Sequence, residues 1–202
     1  MKVLMTGFEP FDGNSFNPSW AAVEALQAPE GFEIRKLRLP VVYQKAPALL
    51  VEEMRGWVPD AVICVGLADG RSEITPERVA VNAMDETIPD NEGIFPHGDP
   101  IDPDGPAAYM TRLPIHTITQ RLQEAGIPAK ISNTAGVYVC NDLMYGLLRA
   151  IAEEPLFRDV KGGFIHVPAT KEMGLPADVP VLPLQTLVEA LRIAVETVAA
   201  LR

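Results

Sequence analysis

A chain of 202 residues, 48% apolar and 22% charged, has an ordinary globular composition and suits one domain, residues 1–202, burying on the order of 70% of its unfolded surface. Its formal charge of −10 argues against general nucleic-acid binding, which needs a basic face, and two cysteines make no disulfide framework. No window approaches the ~20 apolar residues of a membrane span, and Met1-Lys2 runs straight into a strand-like segment, so a cytoplasmic protein is expected.

Lys2 to Thr6 reads as a short buried strand ending at Gly7. The Gly- and Pro-rich stretch from Gly7 to Phe16 follows as a loop, and Asn17-Pro18 opens a helix as N-cap and first helical residue. Phe8 and Phe11 sit at a strand's carboxyl end, where open α/β sheets bind ligands; plugging the core is the equal alternative, and Phe16 is expected in the core. Phe32 to Leu39 alternates as a second strand, Gln44 to Trp57 has helical spacing, and the apolar run Ala61 to Gly66 suits a central strand covered on both faces. Cys64 within it is expected in the core.

Ile74 to Asn82 alternates so that Glu77, Val79 and Val81 share one face, which suggests a partly buried acid in need of a partner; an exposed edge glutamate is the other reading. Residues 85–104 carry Pro, Asp, Asn and Gly without periodicity, as in lids and binding loops, and His97 there is expected in solvent. Helical spacing resumes from Pro114 to Ala125 with His116 on its surface. A short strand is expected over Ala129 to Ser132, another over Gly162 to Val167, and a last amphipathic helix over Pro183 to Leu201. Strands and helices alternating in this way predict a three-layer α/β/α sandwich around a mostly parallel sheet, made mixed by an antiparallel strand or hairpin from the 85–105 excursion.

The most specific stretch runs from Ile131 to Tyr145. It reads as a strand end, a small-residue turn at Gly136, and a thiol, Cys140, at the mouth of a helix whose Leu143, Met144, Leu147, Leu148 and Ile151 share one face. Glu154-Pro155 closes that helix. Unpaired N–H groups and the helix dipole at this position favour an anion and are one known way to lower a thiol pKa, whereas a small buried hydrophobe is the commonest fate of a free cysteine. His166, at a strand end before a proline, is by itself more often structural. Together Glu77, Cys140 and His166 at sheet ends could let an imidazole deprotonate a thiol while a carboxylate orients the imidazole.

Four segments also resemble the pyroglutamyl peptidase I (pyrrolidone-carboxylate peptidase) family of cysteine peptidases: Thr6 to Phe11 with Asn17 to Trp20, Gly70-Arg71 with Glu77 to Asn82, Ser132 to Asn141, and Gly163 to Pro168. The resemblance implies removal of pyroglutamate from peptide N-termini, with Cys140 as nucleophile, His166 as general base and Glu77 as orienting carboxylate. It places Phe8 and Phe11 against the pyroglutamyl ring, Ile88, Tyr138 and Val139 around it, and backbone near Asn17 and Leu67 on the lactam. It further implies a homotetramer; no cofactor is expected, and the acidic charge, the lack of an apolar span and the scattered histidines and cysteines lead to the expectation of no nucleic acid, no membrane partner and no metal. Three positions depart from the family pattern: Asp69 where glycine is usual, Asp12 where glycine is usual, and Thr87 where an arginine precedes Ile-Pro-Asp-Asn. Thr87 and Asp69 motivate a competing expectation, a member that binds pyroglutamyl ends without turnover. A phosphate- or nucleoside-handling enzyme is a weaker third, since neither G-x-G-x-x-G nor G-x-x-x-x-G-K-[ST] occurs.

Overall fold

The structure, a computed structural model, describes residues 1–200, so Leu201 of the expected last helix lies outside the described residues. In chain order the elements are β1 (Lys2–Phe8), α1 (Pro18–Ala25), β2 (Glu33–Leu39), α2 (Lys45–Trp57), β3 (Ala61–Leu67), β4 (Thr75–Pro76), β5 (Val79–Val81), β6 (Met84–Asp85), β7 (His97–Asp99), β8 (Ala108–Met110), α3 (Ile115–Glu124), α4 (Val139–Glu153), β9 (Lys161–Val167) and α5 (Leu184–Ala200).

The central sheet has the order β2-β1-β3-β9-β4. Its first four strands are parallel and only β4 runs against its neighbour β9. Alternation along each strand divides the core in two. Leu4, Phe8, Val62, Cys64 and Phe164 face α2 and α4, while Val3, Met5, Ile63, Val65, Ile165 and Val167 face α1, α3 and α5. The result is the three-layer sandwich expected. The start of α1 is fixed as its sequence implies: the Asn17 side chain accepts from Ser19 N at 3.0 Å, and Ser19 Oγ in turn accepts from Phe8 N at 3.0 Å.

Where structure and expectation differ, long-range pairing is the cause. The 74–82 stretch is not one strand: β4 pairs with β9, β5 pairs with β8, and the chain turns between them at Glu77-Arg78. That break lets Glu77 be fully buried on its own, while Ala80, and not Val79 or Val81, packs into the core. Ala129 to Ser132 makes only two bridges, to Ile74 and Glu77, because its partner segment is short and includes Pro76, which offers no N–H. The sheet is mixed through β4; the 85–105 excursion contributes β7 to a separate ribbon with β6. Phe16 is half-buried in a surface recess beside Pro10, Trp20 and Arg38, outside the core.

The aperiodic 88–94 loop is held down by side chains. Asp90 is buried and accepts from Tyr43 N (3.0 Å), Glu92 N (2.9 Å) and Ile94 N (2.8 Å). Asn91 Nδ2 donates to Glu9 Oε1 and Pro10 O, both at 3.0 Å, and the Tyr138 hydroxyl donates to Pro89 O at 2.9 Å. Asp12 adopts φ 51°, a left-handed backbone that aspartate tolerates better than most residues, which accounts for glycine being usual there.

Asp142 joins the two helices that share one face of the sheet, α2 and α4. From the first turn of α4 its Oδ2 accepts Gln44 N at 2.7 Å, placing negative charge at the N-terminus of α2. Burial pushes this carboxyl up to about 6, against the opposing hydrogen bond from Gln44. Because the folded-state value lies above that of the unfolded chain, the buried charge costs stability above about pH 6, and that cost fades as pH falls toward 4. Asp142→Asn should therefore gain stability relative to wild type on going from pH 5 to pH 8, by about 1–3 kcal/mol in urea titrations. Identical pH dependence of the two proteins would contradict this.

Candidate active site

β3 and β9 end side by side at the carboxyl edge of the sheet, and their register sets Gly66 opposite His166. Parallel partners point the same way, so the imidazole leaves the sheet on the face covered by α4. Gly66 supplies the clearance there. A Cβ at that position would lie 2.8 Å from Cys140 Sγ and 2.7 Å from Phe164 Cζ. A glycine closing a buried strand is thus what lets α4 bring the thiol down beside the imidazole.

The thiol is delivered by a turn and an anchored helix start. Gly136 takes φ 78° in the turn, and Cys140 is the second residue of α4. Asn141, fully buried, accepts from Val81 N (2.9 Å) and donates to Val81 O (2.9 Å) and Ala83 O (3.0 Å), stitching the helix to the β5–β6 segment. Among the described residues the N–H groups of Val139 and Cys140 have no backbone acceptor, as expected for the first helical positions.

His166 Nδ1 lies 2.7 Å from Glu77 Oε1, and the Arg71 guanidinium donates to the same oxygen at 2.7 Å. His166 is 4% exposed and Glu77 has no exposure. Burial pushes Glu77 up, but the hydrogen bond and charge of His166, with help from Ser132 and Arg71, outweigh it and leave the carboxyl below its usual range. The Ser132 hydroxyl, which donates to Thr134 O at 3.0 Å, can rotate onto the other carboxylate oxygen. Burial holds His166 below the ordinary histidine value despite the pull of Glu77.

Cys140 departs from the expectation of a helix-activated thiolate. Burial, then Glu77 and Cys64, push the thiol up to about 12, with only Arg71 acting the other way. The thiol makes no hydrogen bond to the imidazole among the described residues. Burial, Glu77 and Cys64 oppose the pull of the helix start on this half-buried thiol, which makes proton transfer to a base the route to activation.

Two recesses meet at Cys140. One is a narrow apolar slot of about 40 Å³ lined by Phe8, Phe11, Asn17, Val41, Leu67, Tyr138 and Val139. The other is an open cleft of about 350 Å³ containing His166, Arg71, Asp69, Glu86, Thr87 and Ile88. Six of the expected ring-contacting residues thus gather in the slot, whereas Ile88 lies in the cleft. Thr87 bonds Glu86 and Asp69 bonds Gly70, so both departures sit on the rim and leave the contacts of Glu77 and His166 intact. No group of three or more His, Cys, Asp or Glu side chains suited to a metal occurs among the described residues. Residue-level reading of the sequence left Gly66, Arg71 and Asn141 without roles; a glycine ending an apolar run was the available cue for the first.

Gly66→Ala is expected to push the thiol aside by close to an ångström and lower kcat/KM by about 10²-fold. Thermal unfolding would separate this from the roughly 1–3 kcal/mol that overpacking costs; unchanged kcat/KM would contradict it.

A free thiol at a helix start, sharing a cleft with a buried imidazole–carboxylate pair at the carboxyl edge of an α/β sheet, defines a cysteine hydrolase. The family model for pyroglutamyl peptidase matches residues 1–201, and the chain belongs to that family. It is 48% identical over 203 residues to the pyrrolidone-carboxylate peptidase of Bacillus subtilis, covering 98% of this chain and 92% of that protein. It is equally 48% identical to that of Thermococcus onnurineus, covering 98% of each. The crystal structure of pyroglutamyl peptidase I from Bacillus amyloliquefaciens superposes with a TM-score of 0.94 at 47% identity, over 98% of this chain and 97% of that one.

Proposed function

We infer that the protein is a pyroglutamyl peptidase that hydrolyses the bond after an N-terminal pyroglutamyl residue, with Cys140 as nucleophile, His166 as general base and acid, and Glu77 as the group that orients the imidazole. The observation that carries this reading is the apolar slot opening onto Cys140, with the Glu77–His166 pair in the adjoining cleft.

In this reading the pyroglutamyl ring enters the slot between Phe8, Phe11, Tyr138 and Val139, with its lactam paired to backbone near Asn17 and Leu67. The Asn17 side chain is already committed to Ser19 and Glu9 and its carbonyl accepts from Ala21 N, so its N–H is what remains for a ligand. Ile88 closes the rim. The thiol gives its proton to Nε2 of His166 and the sulfur attacks the acyl carbonyl. Glu77 holds Nδ1–H, fixing the tautomer that leaves Nε2 free to accept. The N–H groups of Val139 and Cys140 receive the developing oxyanion. The imidazolium then protonates the departing amine, and water, deprotonated by the same imidazole, releases pyroglutamate from the thioester.

Such chemistry needs a reduced thiol, which suits a reducing compartment such as the cytoplasm. Its partners are peptides with pyroglutamyl N-termini, and assembly as a homotetramer follows from the family resemblance. The test is release of aminocoumarin from its pyroglutamyl and prolyl amides. Cleavage of the first and near-silence on the second is expected, because a proline lacks the lactam oxygen and would leave a buried donor unpaired. A reduced protein that alkylates normally at Cys140 yet leaves the pyroglutamyl amide intact would contradict the reading and favour a binding-only member.

A further inference from the structure

Arg71 reaches from the loop after β3 into the centre of the site, and its contacts tie together three separate parts of the chain. Nη1 donates to Glu77 Oε1 at 2.7 Å and to Thr75 Oγ1 at 2.6 Å, while Nη2 donates to Thr134 O at 3.2 Å. Thr75 lies opposite His166 in the β4–β9 register, and Thr134 belongs to the turn that leads into α4. Glu77 Oε1 is the same atom that holds His166 Nδ1. One guanidinium therefore spans the carboxylate, the strand residue facing the imidazole, and the turn that delivers the thiol. Its side chain is 29% exposed and opens on the cleft containing Cys140 and His166, unlike an ion pair sealed in the core.

We propose that Arg71 is a positioning residue of this site: it fixes the Glu77 carboxylate on the imidazole and keeps the reacting groups charge-balanced when the thiol gives up its proton. The proposal rests on the reading of Cys140, His166 and Glu77 as the reacting groups. Arginine suits the task because its planar fork serves acceptors lying in different directions, whereas a lysine ammonium acts as a point charge on a flexible stem. The titratable and charged groups around the thiol are Cys64 from β3, Tyr138 at the head of α4, Glu77, His166 from β9, Arg71, and the cleft carboxylates Asp69 and Glu86. Arg71 is the one permanently positive member of that set. With thiolate, imidazolium and the Glu77 carboxylate formed, Arg71 brings the formal sum over these groups to zero; without it the sum is −1. Loss of the cation should therefore move ionisation of both the thiol and the imidazole to higher pH, in keeping with its acting to lower each.

The experiment compares wild type, Arg71→Lys and Arg71→Ala, each checked for folding by thermal unfolding. Two quantities are followed against pH: the rate of Cys140 alkylation by iodoacetamide, and kcat and KM for pyroglutamyl-aminocoumarin. For Arg71→Ala the expected result is an alkylation inflection moved to higher pH and a kcat lowered by about 10–100-fold, with KM little changed. Arg71→Lys should restore the inflection, which depends on charge, but only part of kcat, which depends on the fork. A folded Arg71→Ala with the wild-type inflection would overturn the proposal, as would a rate loss that Arg71→Lys repairs in full. If Arg71→Ala does not fold, Arg71→Lys decides: an unchanged kcat overturns the proposal, and a lowered kcat at an unchanged inflection supports it. Alkylation needs no substrate, so failure of the pyroglutamyl reading would appear as absent turnover while the alkylation shift still reports on Arg71.

Discussion

Cys140→Ser is expected to lower turnover of pyroglutamyl-aminocoumarin by at least ~10³-fold while leaving the fold intact, since a hydroxyl is a far weaker nucleophile at the same position. The structural cost should be small. Serine is close in size to cysteine, and the site is already bordered by polar groups in the open cleft. Because burial pushes the native thiol up, the proposed mechanism relies on proton transfer from Cys140 to His166, and serine, with a much higher pKa, relies on it more. Tm of the variant should stay within a few degrees of wild type, and pyroglutamate should still protect it against heating through the slot formed by Phe8, Phe11 and Tyr138. Retention of more than a tenth of wild-type turnover would remove Cys140 from the nucleophile's role.

Glu77→Gln tests the second half of the machinery. The glutamine oxygen can occupy the place of Oε1 and still accept from His166 and Arg71, so the shape of the site survives while the charge does not. Loss of an orienting carboxylate in comparable triads costs about 10⁴-fold in kcat, and a loss of roughly 10³–10⁴-fold is expected here. The limb of the pH–rate profile that reports the imidazole should move to lower pH, because Glu77 is what raises His166 against burial. Stability should fall by about 1–3 kcal/mol, mostly from stranding the partly buried Arg71 without its counter-charge. The sign with pH is definite. Glu77 has a folded-state pKa below that of the unfolded chain, so its contribution is present at neutral pH and lost as pH falls through the acid range. His166, also lowered, is held neutral in the fold, so the unfolded chain takes up its proton first and acid again disfavours the native state. Glu77→Gln should therefore lose the carboxylate's share of this acid sensitivity while the imidazole, lower still without Glu77, keeps its own. A variant with wild-type kcat would show that the carboxylate is only structural.

Much of this arrangement is legible in the chain because its signals are local. Three-and-four spacing in α4, the proline that ends it and the Asn17-Pro18 opening of α1 are each decided within a few residues. The wholly apolar β3 likewise announces its central place, although it extends one residue past Gly66 to Leu67. What could not be read locally depends on pairing across long separations. The break after Pro76 exists because Thr75 pairs with His166 while Val81 pairs with Ala108. The same break buries Glu77 alone and turns Ala80, in place of the valines, inward. Periodicity does not single out Arg71, whose contacts run to Glu77 and, 63 residues away, to Thr134. The ionisation of Cys140 is not legible locally for a related reason. A helix start is visible in sequence and favours an anion, but the burial and the Glu77 charge that oppose it depend on the tertiary packing.

The central claim is that the reaction proceeds through an acyl group on one sulfur. The most direct measurement is intact-protein and peptide mass spectrometry of enzyme quenched in acid during turnover of pyroglutamyl-aminocoumarin. The expected result is a mass increase of one pyroglutamyl group, removed by hydroxylamine, that maps to Cys140 and is absent in Cys140→Ser. Steady release of aminocoumarin with Cys140 unmodified throughout, or with the acyl group on Cys64, would contradict it.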